Sequence, residues 1–129
     1  MNQLREIVAV RQDPQEPPRR WFWSNIGDLM VWLDEDGVPT GFQLSYDKDR
    51  AERVLTWKPE SGFLHTAVDD GESDVGFRHK ATPLLIADGY FDAKRVLELF
   101  RELSTHLPPK VVGFVTEKIK QHPNYEVRA

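Results

Sequence analysis

The hydrophobic pattern of this chain changes its period near residue 90. Before that point apolar residues alternate with polar ones, as in β-strands, and after it they recur at the three-to-four-residue spacing of an amphipathic helix. Helices with an apolar stripe need a surface to cover, and a sheet with an apolar face offers one. The order of the elements therefore predicts an α+β fold.

Short apolar segments between residues 20 and 87 are separated by turns rich in Asp, Gly and Pro. The turns recur about every 10 to 15 residues, which is typical of antiparallel strands joined in sequence order. We predict an antiparallel meander of about five or six strands, with an incomplete barrel that clasps the helices as the alternative. The predicted strands are Trp21–Trp23, Asp28–Leu33, Phe42–Tyr46, Val54–Trp57, Phe63–Val68 and Pro83–Ala87.

Two helices are predicted at the C-terminal end, over residues 92–107 and 109–122, packed on one face of the sheet. Asp92 is a suitable N-cap for the first helix. Pro108 and Pro109 end it and start the second, because proline is tolerated in the first turn of a helix. Their apolar stripes consist of Val96, Leu99, Phe100, Leu103 and Leu107, and of Val111, Val112, Val115 and Ile119.

The 129 residues match one domain. Residues 1–19 are predicted to be a flexible arm, because Pro14, Pro17 and Pro18 lie among polar residues and favour extended backbone. Within that arm, Leu4, Ile7 and Val8 fit one stripe of a short helix, residues 7–10 fit a strand equally well, and the pattern leaves the segment unassigned.

Composition excludes several classes of protein. Cysteine is absent, which removes disulfide scaffolds, thiolate nucleophiles and Cys-ligated metals. No apolar run approaches the roughly 20 residues that a membrane span requires, and no secretory signal is evident, so we expect a cytoplasmic protein with no membrane partner. The formal net charge of -4 opposes phosphate backbones, so no nucleic acid partner is expected. The basic-aromatic run Arg19–Trp23 is accordingly interpreted as the opening of a strand.

The densest group of ionisable residues consists of His65, Asp69, Asp70 and Glu72, with His79 as an auxiliary ligand or base. Carboxylates and imidazoles are ligands that divalent cations accept. His65 and Asp69 are about 13 Å apart on a regular strand, however, so a shared ion requires a strong bend. Asp and Gly also suit a solvated turn, and the sequence leaves both interpretations open.

The tryptophans form the second candidate site. Trp21, Trp23, Trp32 and Trp57 all lie in predicted strands. A sheet that helices cover on one side leaves its other side to be explained, and large aromatic residues there indicate a dimer interface or a surface for an apolar ligand. Burial of all four in the core is the alternative. The choice depends on register, since a slip of one residue exchanges the two faces.

The remaining polar clusters match structural roles. The loop Asp88–Asp92 fits helix capping, and Asp34–Gly37 fits a hairpin turn with Gly37 at positive φ. His106 suits the last turn of a helix. The sequence contains no Gly-x-Ser-x-Gly, no His-Glu-x-x-His and no phosphate-binding glycine loop.

Three functions remain open at this point. The first is a non-catalytic binding or assembly module that forms a homodimer through an aromatic sheet face. The second is a metal-assisted hydrolase that uses the His65, Asp69, Asp70 and Glu72 cluster. The third is a carrier of a small apolar ligand. Apart from the divalent cation of the second hypothesis, we expect no cofactor.

Overall fold

The computed structural model describes residues 3–7, 18–69, 84–87 and 91–125. Their strands form one sheet, in which each strand is antiparallel to the next and the spatial order follows the chain. The strands are β1 (Arg5–Glu6), β2 (Arg19–Trp23), β3 (Gly27–Leu33), β4 (Pro39–Tyr46), β5 (Arg53–Lys58), β6 (Gly62–Asp69) and β7 (Leu84–Ala87).

Two helices follow the sheet, α1 (Ala93–Leu103) and α2 (Pro109–Gln121), and a short 3-10 helix covers Pro123–Tyr125. The predicted α+β fold is therefore confirmed, with β2 to β7 as the predicted meander. Asp92 caps α1 as predicted, because its side chain accepts a hydrogen bond from the backbone N–H of Arg95. Gly37 has a φ of 80°, as the hairpin turn requires.

The first helix ends earlier than its apolar stripe predicts. Ser104 is the C-cap of α1, and Leu107 is buried in the core although it follows the helix. Pro108 disfavours helical backbone at Leu107, which contacts the core from the connection that follows the helix. His106, predicted in the last turn of this helix, lies in the connection between α1 and α2.

Part of the segment left unassigned by its sequence pattern, Arg5–Glu6, forms β1 at the edge of the sheet. The backbone N–H of Leu4 donates to the carbonyl oxygen of Leu103, 2.8 Å away, and Leu4 is fully buried. Arg20 in β2 donates two hydrogen bonds to the carboxylate of Glu6 in β1. These contacts connect the chain's beginning to both the sheet and α1. Residues 8–17 of the predicted arm lie outside the described residues.

Strand register divides the side chains into two faces. The helix face packs against α1 and α2 and carries Phe22, Leu29, Val31, Phe42, Leu44, Tyr46 and Leu55 in one buried core with Val96, Phe100, Val111, Val115 and Ile119. The opposite side, here called the outer face, carries the alternate residues of the same strands. The outer face includes Trp21, Met30, Gln43, Thr56 and Leu64, which pair in that order from β2 to β6.

Candidate functional site

The middle of the outer face is an uncharged row that crosses five strands. Trp21 lies beside Met30, which lies beside Gln43, and the row continues through Thr56 to Leu64. The first four side chains are half-buried, and Leu64 is 53% exposed. The row is apolar at its ends, where Trp21 and Met30 lie on one side and Leu64 on the other, and it is polar but uncharged at Gln43 and Thr56 between them.

Charged residues lie at both ends of the strands that carry this row. At one end Lys58 holds its ammonium 4.5 Å from the ring centroid of Trp32, beside Arg19. At the other end Lys48 lies 4.9 Å from the ring of Trp23 and 2.7 Å from a carboxylate oxygen of Asp28. Each ammonium therefore contacts an indole on the outer face. This cation–π arrangement stabilises the positions of the two indole rings.

A shallow cavity of about 450 Å³ continues the outer face at the Trp32 end. Gly41 forms part of its wall. A Cβ atom at position 41 would lie 2.9 Å from the carbonyl oxygen of Trp57 and 3.4 Å from Cε3 of Trp32. The indole of Trp32 thus packs directly on the glycine backbone, and a larger residue would displace it.

The structure separates the four tryptophans of the predicted binding surface. Trp21, Trp23 and Trp32 lie on the outer face, where Trp23 is 43% exposed. Trp57 lies on the helix face, because it pairs with Phe42 of the core. Its ring packs against Phe114 at 6.0 Å, and the ammonium of Lys118 lies 4.0 Å from its centroid. Trp57 therefore belongs to the interface between the sheet and α2.

His65 of the predicted metal cluster lies on the helix face. Its Nε2 is 2.6 Å from the hydroxyl of Tyr46, and its ring is 4.8 Å from that of Phe91. Asp69 ends the same unbroken strand, so its Cα is about 13 Å from that of His65. The side chain of Asp69 and the whole of Asp70, Glu72 and His79 lie outside the described residues.

Within the described ranges, no three His, Asp or Glu side chains are arranged as metal ligands. The hydrolase hypothesis therefore stays a prediction, with His65 as its one member whose surroundings are known. Those surroundings are aromatic, and its Nε2 contacts a tyrosine hydroxyl.

A second cavity, of about 430 Å³, opens beside Tyr46 and His65 at the N-terminal end of α1. Three arginines line it, each from a different element: Arg50 from the β4–β5 turn, Arg53 from β5 and Arg95 from α1. Residues 47–50 lie between two of the predicted strands, where the sequence indicates only a turn. The one local signal was a cluster of charges directly after a strand with a buried face, and nothing in the pattern indicated that α1 would add a third arginine.

Asp47 organises this second cavity. Its φ of 57° is in the left-handed region, where aspartate is one of the residues that are tolerated. One carboxylate oxygen accepts a hydrogen bond from Nη2 of Arg95 at 2.6 Å, and the other lies 3.9 Å from Nη2 of Arg50. The hydrogen bond to Asp47 raises the pKa of Arg95 above its ordinary value, so Arg95 is a permanent cation in the wall of the cavity.

No protein-family model, curated protein or solved structure matches this chain. None of the helices in the described ranges has the length and apolar character needed to cross a membrane. Proposals about function therefore depend on the outer face and on the two cavities themselves.

Proposed function

We propose that this protein is a non-catalytic binding and assembly module that forms a homodimer through its outer face. The observation that carries the proposal is the uncharged row from Trp21 to Leu64, which lies between charged strand ends. Stable protein interfaces have this anatomy, with a centre depleted of charge and rich in aromatic residues and Met, and a polar rim.

A second copy of the same face would match the uncharged row to itself. A two-fold axis along the uncharged row would place that row on its equivalent in the partner, as an isologous contact requires. The same rotation would place each strand on its own equivalent, so that Arg19 lies over Trp23, Trp32 over Asp28 and Lys58 over Val54. Arg19 would then meet an indole that Lys48 already contacts.

The geometry of the sheet also suits such a contact. Two sheets pack face to face at about 10 Å through interdigitated side chains. Gln43 and Thr56, in the middle of the row, pair with each other and carry no charge into the contact. Strands β2 to β6 would supply the contact through the row itself, because Ser45, Val54 and Thr66 beside it are already buried within the chain.

Leu64→Lys tests this proposal, because it places a charge in the exposed part of the uncharged row. Val38→Lys is the matched control: Val38 is 46% exposed but lies in the β3–β4 hairpin, away from the row. By sedimentation equilibrium we expect a dimer for the unmodified protein and for Val38→Lys, and a monomer for Leu64→Lys. Circular dichroism should show all three folded. A monomeric unmodified protein, or a Leu64→Lys dimer of equal affinity, would contradict the proposal.

A further inference from the structure

The cavity beside Tyr46 and His65 concentrates positive charge in an acidic chain. The chain carries a formal net charge of -4. The cavity nevertheless presents the guanidinium groups of Arg50, Arg53 and Arg95 against the carboxylates of Asp47 and Asp92. Among the described residues, this lining has three guanidinium groups and two carboxylates, and a concave wall concentrates the field of such groups.

The two carboxylates have structural partners that account for them. Asp92 caps α1 and accepts from the backbone N–H of Arg95. Asp47 accepts from the Arg95 guanidinium. A guanidinium has five N–H donors, so one bond to Asp47 leaves Arg95 able to bind a further acceptor. The Cζ atom of Arg95 also lies 5.7 Å from the ring centroid of Tyr46. Tyr46 and Asp47 together fix the position of the Arg95 guanidinium.

Arg50 is the most accessible of the three arginines. Its side chain is 69% exposed, and its ion pair with Asp47 has the long separation of 3.9 Å. Arg53 approaches from β5 and donates from Nη1 to the carbonyl oxygen of Ala51 at 2.8 Å. The three guanidinium groups therefore reach one cavity from a turn, a strand and a helix.

We propose that this cavity binds a phosphate group, either free or as part of a small phosphorylated molecule. A phosphate group carries about 1.5 to 2 negative charges at pH 7 and three strong acceptor oxygens, which suits cations that converge from three directions better than a single carboxylate does. The cavity volume of about 430 Å³ is within the range of small-molecule sites. The inference does not depend on dimerisation.

The test is a titration of the 129-residue chain, monitored by ¹H–¹⁵N NMR, with inorganic phosphate, glycerol phosphate and succinate at constant ionic strength. We expect saturable shifts at residues 46–53 and 92–95 with the phosphate compounds, and weaker binding of succinate. Arg50→Gln and Arg53→Gln should each weaken phosphate binding at least about tenfold, since each removes a charge-assisted hydrogen-bond donor. Because Arg50 is largely exposed, its variant should remain folded.

Arg101→Gln is the matched control, since it removes the same charge from an exposed position of α1 outside the cavity. Tighter binding of glycerol phosphate than of phosphate would identify a phosphorylated molecule as the ligand, and equal binding would identify free phosphate. The proposal is overturned if neither phosphate compound binds, if succinate binds as tightly, or if Arg101→Gln weakens binding as much as Arg50→Gln does.

Discussion

His122, the C-cap of α2, has its imidazole between two phenylalanines. Its ring centroid is 4.7 Å from that of Phe63 and 4.6 Å from that of Phe91. Burial lowers the pKa of His122, because desolvation disfavours the imidazolium form. The backbone N–H of Asn124 also donates to Nδ1 at 3.0 Å, and this bond requires an unprotonated nitrogen. The folded protein therefore holds His122 neutral.

This arrangement predicts that acid destabilises the fold between pH 7 and pH 5. The unfolded chain has a His pKa of about 6.5, above that of folded His122, so the unfolded state binds the proton first as the pH falls. The contribution of His122 is fully present above pH 6.5 and is lost as the pH falls through the folded pKa. Urea unfolding should show a shallower pH dependence for His122→Asn than for the unmodified protein.

His106→Asn is the control for this measurement, because His106 is exposed in the α1–α2 connection. It should follow the unmodified protein. The Glu6 carboxyl, whose pKa is lowered by its hydrogen bond to Arg20, contributes to acid sensitivity only at a lower pH, since its ordinary value is 4.5. An unchanged slope for His122→Asn between pH 5 and 7 would be evidence against a neutral buried His122.

At the scale of elements, β1 is short but joins two layers of the fold. It pairs with β2, and the residue before it bonds to the end of α1. The backbone hydrogen bonds of a two-residue strand contribute little stability. The burial of Leu4 is therefore the main interaction that holds this segment on the core.

Leu4→Ala tests that attachment. Leu4 is fully buried in the core that joins the sheet to the helices, and we expect the free energy of unfolding to fall by about 2 to 5 kcal/mol. Ile7→Ala, at a residue that is 37% exposed, should cost less than about 1 kcal/mol. Denaturant unfolding measures both. Equal, small effects would mean that the N-terminal segment is not part of the cooperative core.

At the scale of the whole molecule, the two proposed sites lie on opposite sides of the sheet. Leu64 belongs to the outer face, whereas Tyr46, Arg53 and His65 belong to the helix face by register. Substitutions that do not share partners act nearly independently. Leu64→Lys should therefore leave the phosphate affinity within about twofold of its original value, and Arg50→Gln should leave the dimer intact. Loss of both properties in either variant would contradict this separation.

The elements themselves were largely predictable because their signals are local. The cap at Asp92, the turn at Gly37 and the switch from period two to helical spacing each depend on a few neighbouring residues. The early end of α1 shows the limit of such signals. Leu107 continues the apolar stripe and is buried, but it contacts the core from outside the helix.

By itself, the sequence determined the α+β class, the antiparallel order and the positions of both helices, because hydrophobic period and turn chemistry act over short distances. Only the tertiary structure decided which side chains lie on which face of the sheet. It placed Trp32 and Trp57 on opposite sides of the sheet, and it brought Asp47 to Arg95, which is 48 positions away in the chain. Register and helix docking are set by packing over the whole core, and one step of register exchanges every side chain between the two faces.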